Sequence, residues 1–304
     1  MFRAAATRVR VPATSANLGP GFDAFGLALG LYDDVVAQVS DDTGIRVDVH
    51  GEGADAVPRD HRHLVAKSML RGFDALGGRP RGLDLVCANR IPHGRGLGSS
   101  AAAIVSGLLL ARALVVGGDE RLPDAALLAL ASSIEGHPDN VAACVYGGVT
   151  IAWTSATSGR TEVLRVVPDS RVIPVVCVPS TAVATKKARA LLPESVPHAD
   201  AAANAARAAL LVTALSGRPD LLLDATDDRI HQQYRRAAYP RTGDLVAKLR
   251  SAGIAAAVSG AGPTVLVLTD AENADRIEGL AGARFATSLL EIDVAGGRVV
   301  ALDS

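Results

Sequence analysis

Apolar and polar residues alternate at 8–13 (RVRVPA), which predicts a strand. A loop of glycines and short polar residues follows, and GLALGLYDDVVAQVS (26–40) then predicts a pair of strands. Helical spacing over 65–76 stops at Gly77 and Gly78, and 83–88 (LDLVCA) predicts a buried strand that ends before a glycine cluster at 94–98. The stretch 99–116 is apolar all round, the pattern of a central helix enclosed by other elements, and a further helix is expected over 123–134. Strands are expected at 147–155, 163–167 and 172–178, followed by a PST turn at 179–181 and a basic segment at 185–189. Beyond it, helices at 201–216 and 243–251, a strand at 254–258, a glycine loop at 259–262, a strand at 265–269 and a helix at 271–280 alternate as in an α+β domain. The expected division is a first domain over 1–160 and a second over 161–304.

The 304 residues are enough for two domains with a substantial core. With 31 Lys and Arg against 32 Asp and Glu there is no single-signed field to draw nucleic acid, and one Trp, four Tyr and five Phe leave few platforms for stacking bases. Cys87, Cys144 and Cys177 are odd in number and far apart, which argues against a disulfide framework or a zinc site and favours a reducing cytoplasm. Arg3, Arg8 and Arg10 interrupt the place of a secretory leader, and the longest apolar run contains Arg112, so neither export nor a membrane span is expected.

The segment 92–102 (PHGRGLGSSAA) follows a strand and opens a helix, where unpaired N–H groups and the helix dipole attract an anion. Gly94, Gly96 and Gly98 allow left-handed backbone close to phosphate oxygens, and Ser99 or Ser100 can cap the helix or offer a hydroxyl to a metal ion. No Gly-Lys-Ser/Thr occurs, and the spacing departs from a dinucleotide fingerprint, which leaves phosphate binding of another kind or a tight turn with a serine cap. In 13–23, Thr14, Ser15, Asn17 and Asp23 crowd one loop between apolar strands, as a polar ligand site or as a self-satisfied turn. Glu135, His137, Asp139 and Asn140 lie within six residues at a helix end broken by Pro138, either a site or a solvated helix stop. The Ser100 hydroxyl and the Glu135 carboxylate are the candidates for a hard metal ion that takes oxygen ligands.

Three segments, VPATSANLGPGFDAFGLAL, PHGRGLGSSAA and AAAVSGAGPTVLVL, together resemble in order the three motifs of the galactokinase, homoserine kinase, mevalonate kinase and phosphomevalonate kinase (GHMP) superfamily. EGHPDNV at 135–141 makes the homoserine kinases the most similar branch. The resemblance implies a two-domain GHMP-kinase fold of α+β class, with an N-terminal α/β domain like ribosomal protein S5 domain 2 and a ferredoxin-like C-terminal domain. It implies phosphorylation of the side-chain hydroxyl of L-homoserine by ATP with Mg²⁺, giving O-phospho-L-homoserine for threonine synthesis. The ATP loop would comprise Pro92, His93, Gly94, Arg95, Gly96, Leu97, Gly98, Ser99, Ser100, Ala101 and Ala102. Asn17, Asn140 and Thr185 would lie near the reacting hydroxyl, Asp23 near the ammonium, His137 and Asp139 along the pocket, and Arg189 and Arg235 on the carboxylate. Guanidinium forks suit a carboxylate, with about 1.5–3 kcal/mol for each charge-assisted bond.

Where related sugar and mevalonate kinases carry an Asp as candidate base, this chain has Asn140, which suits a transfer driven by positioning. Glu135 is the only acidic residue between Asp124 and Asp139, whereas some homoserine kinases carry the metal carboxylate earlier on that helix. The glycine loop at 259–264 is either a plain turn or, as the resemblance implies, a neighbour of the phosphate loop. His61, His63 and Trp153 read as core or surface residues, and His63 stands where the family commonly has Asn, a departure that bears on the adenine contact. As partners the resemblance implies a small molecule, without nucleic acid or membrane, and a homodimer as the candidate assembly. The alternatives are another GHMP small-molecule kinase of the mevalonate type and a non-catalytic nucleotide sensor on the same fold.

Overall fold

The computed structural model describes residues 1–302. Strand β1 (Thr7–Asn17) turns back as β2 (Gly21–Ser40), and β3 (Gly44–Gly51), α1 (Leu64–Ala75) and β4 (Gly82–Asn89) follow. Four helices come next: α2 (Ser99–Leu114), the single turn α3 (Gly118–Arg121), α4 (Asp124–Glu135) and α5 (Asp139–Tyr146). The hairpin β5 (Val149–Thr154) and β6 (Thr161–Val166) leads to β7 (Ile173–Pro179), α6 (Thr185–Arg189), α7 (His198–Ser216), α8 (Leu222–Ala225) and α9 (Gln232–Arg235). The chain ends with α10 (Pro240–Ser251), β8 (Ala256–Val258), β9 (Val265–Thr269), α11 (Ala271–Ala281), β10 (Phe285–Leu289) and β11 (Arg298–Val300).

The first sheet runs β11-β1-β2-β4-β3, with β5 on the near end of β2 and β6 on β5. Residues 26–40 were expected to form two strands and form part of one, β2, which pairs with β5 at 25–27 and with β4 at 34–40. Its glycines explain the difference. Gly26 and Gly30 are not at positive φ and make no turn; a Cβ on Gly26 would meet the Asp139 carbonyl, and one on Gly30 would lie 3.3 Å from the Glu291 carbonyl. They admit neighbouring backbone instead of reversing the chain. β1 likewise continues through 14–17, where a loop was expected to begin.

Helix α2 is the central helix expected from its all-round apolar pattern: Ala101, Ala102, Ile104, Val105, Leu108 and Leu110 are all buried, packed between α1, α4, α5 and β1. The second sheet, β10-β7-β9-β8, is antiparallel throughout. Alternate residues of β7 serve two cores: Val175 and Cys177 pack with Leu245, Leu249 and Ile277, while Val176 joins the large core of the first sheet. Burial on both faces is why this strand reads as an unbroken apolar run. The 160/161 division falls inside the β5–β6 hairpin, and β11 returns to pair with β1, so the first layer takes in 161–166 and 298–300. Among the described residues, no helix is long and apolar enough to cross a membrane.

Candidate active site

The loop between β4 and α2 is held from outside by its carbonyls. Gly94 accepts from the Val183 N–H (3.0 Å), Arg95 from that of Thr264 (3.1 Å), Gly96 from the Ser259 hydroxyl (2.6 Å) and Leu97 from the Thr14 N–H (3.1 Å). The Arg95 guanidinium donates to the carbonyls of Pro179, Ser180 and His93, which fastens the loop to the second sheet. At the loop's start the buried Asp33 carboxylate accepts the N–H groups of Arg90 (2.6 Å) and Ile91 (2.9 Å), and its burial pushes its pKa up to about 6. Gly94, Gly96 and Gly98 take φ of 64°, 79° and 70°. A Cβ on Gly96 would collide with the carbonyls of Ser259 and Gly262. No side chain caps α2, and among the described residues no hydrogen bond is donated by the N–H groups of Gly94, Gly96, Gly98, Ser99, Ser100 or Ala101. With the carbonyls occupied and the amides free, the loop is a cradle for anionic oxygen.

The cradle opens on a cavity of about 200 Å³ whose wall includes Asn17, Asp23, Ser100, Glu135, His137, Asp139, Asn140, Thr185, Arg189 and Arg235. Every substrate, catalytic and metal candidate from the sequence therefore lies on one cavity, brought there by β1, β2, α2, the end of α4, the start of α5, α6 and α9. Of the loop residues, Gly94, Gly96, Gly98, Ser99 and Ser100 line it too, whereas Leu97, Ala101 and Ala102 are buried in the core and Pro92 faces a separate groove. Ser99, Ser100 and His93 also border a second, mainly apolar cavity of about 280 Å³ with Val35, Val57, Leu64 and Val65. His63 is there as well, only 5% exposed, with Nδ1 unpartnered and its pKa lowered first by burial and then by the His93 charge.

Asn17 (φ 72°), Leu18 (φ 49°) and Asp23 (φ 55°) are the described non-glycine residues at positive φ. Three in one loop mark backbone strain held in place by its surroundings. Both ends of the Asn17 amide are engaged, Nδ2 donating to the Gly260 carbonyl (2.9 Å) and Oδ1 accepting the Asp23 N–H (3.0 Å). Ser259 adds a 2.8 Å hydrogen bond to Ser15, so the 259–264 loop packs on both the first loop and the phosphate loop. Thr14 donates to Asn140 Oδ1 (2.8 Å). Asp139 Oδ1 accepts from the Asn140 backbone and meets His137 Nδ1 at 2.8 Å, and that hydrogen bond raises the His137 pKa against the lowering effect of burial. Ser100 donates to Glu135 Oε1 at 2.5 Å.

The charged wall departs from the simplest expectation. Arg189 does not wait for a ligand: its Nη1 and Nη2 hold both oxygens of Asp23 at 2.9 and 2.7 Å. Arg235 has no such partner. It is 2% exposed, makes no ion pair with a described carboxylate, leaves Nε without an acceptor, and lies 5.1 Å above the Phe22 ring; burial lowers its pKa. Phe22 is stacked on its other contacts by His231 (5.2 Å between rings) and approached by Arg189 (5.5 Å). Phe22, the Ser15–Ser259 link and the second cavity were not foreseen from the sequence; His63, noted there as a departure bearing on the adenine contact, was the one signal for the cavity.

The chain matches the family models for the GHMP kinases N terminal domain at residues 63–148 and the GHMP kinases C terminal domain at 198–280. It is 60% identical to the homoserine kinase of Streptomyces coelicolor over 99% of this chain and 96% of that one, and 60% identical to that of Streptomyces avermitilis over 99% and 98%. The crystal structure of homoserine kinase from Cytophaga hutchinsonii superposes with a TM-score of 0.83 at 26% identity, covering 99% of this chain and 98% of that one. With both halves matched and this identity sustained along the whole length, the chain belongs to the GHMP kinase family, within its homoserine kinase branch.

Proposed function

We propose that the protein transfers the terminal phosphoryl group of ATP to the side-chain hydroxyl of L-homoserine. The hydroxyl oxygen forms the new bond to phosphorus and its proton passes to a phosphoryl oxygen or to solvent water, the bond to the β-phosphate oxygen breaks, ADP leaves, and O-phospho-L-homoserine remains. The observation that carries this reading is the contact between the two halves of one cavity: a cradle of undonated amides and, across it, a buried arginine without a carboxylate partner. The amides take the triphosphate, and the apolar second cavity, which shares Ser99 and Ser100, takes the nucleoside, where His63 offers a neutral imidazole to the base.

A hard cation fits the cradle's edge. Ser100 and Glu135 supply a hydroxyl and a carboxylate side by side, and among the described residues no set of three or more His, Cys, Asp or Glu side chains forms a metal site of its own. That donor set suits Mg²⁺, and Ser100 and Glu135 are the residues that would hold it. When bound, it would neutralise charge on the phosphates.

On the substrate side Arg235 and Arg189 read the carboxylate and Asp23 the ammonium. Asn140, Asn17 and Thr185 border the space left for the hydroxyl. The Asn140 amide is oriented by Thr14 and Asp139, and it accepts and donates hydrogen bonds without taking a full proton. His137, whose paired state favours the imidazolium, is a poor base as well. The chain thus supplies positioning and charge, which is what a loose phosphoryl-transfer transition state requires. ADP release measured with homoserine, serine, mevalonate and galactose side by side tests the reading: turnover is expected with homoserine above the other three, and preference for mevalonate or galactose would overturn it.

A further inference from the structure

Asp23 is fixed before any ligand arrives. Its left-handed backbone is pinned through its N–H by Asn17, which aims the carboxylate across the cavity. The Arg189 fork then occupies both carboxylate oxygens in parallel, leaving an arriving ammonium to compete for them. Arg189 comes from α6, a helix of five residues, and is half-buried, while Arg235 is buried at the end of α9. Both guanidiniums lie over the same aromatic ring, Phe22. One is neutralised and the other is not, so Asp23, Arg189 and Arg235 together carry one uncompensated positive charge.

We propose that the Asp23–Arg189 ion pair stands in for the substrate's own charges, as a latch that a zwitterion opens and a singly charged analogue does not. The inference rests on the assignment of Asp23 and Arg235 made above. When homoserine enters, its ammonium replaces Arg189 on Asp23 and its carboxylate takes the released Arg189 together with Arg235, so each broken ionic contact is replaced. A hydroxy acid without the amine settles on Arg235 and leaves the latch closed. An amino alcohol without the carboxylate must break the pair and strand Arg189 without an anion. Arg189 is thereby a specificity residue against amines as well as a ligand for the carboxylate.

The test uses two fragments of the substrate, γ-hydroxybutyrate and 3-aminopropanol, as competitors of homoserine phosphorylation at fixed ATP. In the wild type γ-hydroxybutyrate is expected to bind more tightly. Arg189→Gln leaves Asp23 open, and the Ki of 3-aminopropanol is expected to fall about five- to tenfold, the scale of one partly screened ion pair. Lys186→Gln removes a nearby exposed cation of the same helix without touching Asp23, and is expected to shift that Ki less than about twofold. An unchanged or raised Ki for 3-aminopropanol in Arg189→Gln, or an equal fall in Lys186→Gln, overturns the latch. Should Arg189→Gln not fold, Asp23→Asn frees the same guanidinium from the other side, and γ-hydroxybutyrate must then gain; no gain overturns the latch equally. Arg235→Gln separates the two levels: if it leaves homoserine and γ-hydroxybutyrate binding unchanged, the underlying assignment fails, whereas weakening there with no response in Arg189→Gln removes the latch alone.

Discussion

The two halves of the site are made from different materials. The glycine-loop half is main chain: four successive carbonyls are tied down by β1, the 183 turn and the 259–264 loop, and the amides left over donate no hydrogen bond among the described residues. The other half is charge: a carboxylate and a guanidinium paired with each other, and a second guanidinium buried over Phe22 without a described carboxylate partner. The cradle is complete without its ligand, because every strained glycine is held by hydrogen bonds the protein makes anyway. The charged half is complete only with its ligand, because a buried unpaired cation costs stability until an anion meets it. Ligand binding should therefore change little in the first half and relieve an electrostatic cost in the second.

The largest expected effect comes from breaking the cradle's geometry. Gly96→Ala places a Cβ against the Ser259 carbonyl and 2.9 Å from that of Gly262, at a φ of 79° that an alanine adopts reluctantly. Neither backbone group is free to move, so the loop must shift, and a displacement near an ångström removes aligned donors from the triphosphate. The kcat/KM for ATP is expected to fall about 10²- to 10³-fold, with homoserine KM at saturating ATP changed little. Equal losses on both substrates in steady-state kinetics would show that the halves are not separable.

Breaking the charged half should look different. Arg235→Gln is expected to raise the homoserine KM about 30-fold, the equivalent of about 2 kcal/mol for a charge-assisted contact, and to leave the ATP KM unchanged. Its melting temperature should stay level or rise, since the substitution removes a buried cation that no described carboxylate pairs with. A marked loss of stability in the apo protein would mean that Arg235 is part of the scaffold instead of a receptor for the ligand.

The same contrast governs what could be read from the sequence. Three alternating glycines before two serines and an apolar helix are local, and the backbone conformations they permit belong to the residues themselves; the cradle was legible for that reason. So were the central helix and most strands, whose periodicity reports burial directly. The Asp23–Arg189 pair joins residues 166 positions apart, and composition shows that both charges exist without showing that each has chosen the other. Asn17 was expected near the hydroxyl and does line the cavity, but its amide also staples two loops together, a use that depends on the Gly260 carbonyl arriving from the second half of the chain. The length of β2 was hidden because its glycines answer to neighbouring backbone from Asp139 and Glu291, which no local pattern encodes.

The smallest expected effect sharpens the comparison from within the charged half. His137 and Asp139 also form a pair on the cavity wall, at 2.8 Å, with the Asp139 side chain almost fully buried. Unlike Asp23, Asp139 is further held by the Asn140 backbone, so this pair is closed and should behave as structure. The hydrogen bond to Asp139 raises the folded-state pKa of His137 above 6.5, despite burial. A raised folded pKa means that the folded state holds the proton more tightly than the unfolded one. The resulting stability is fully present below the unfolded pKa and is lost as pH rises through the folded value. His137→Gln should therefore cost below about 1 kcal/mol on the acid side, with the difference from wild type shrinking as pH climbs through the folded pKa. Urea denaturation midpoints from about pH 5 to about pH 9 measure it. A difference that is constant across that range would assign His137 a packing role without a charge, and one that grows with pH would reverse the sign and place the proton elsewhere.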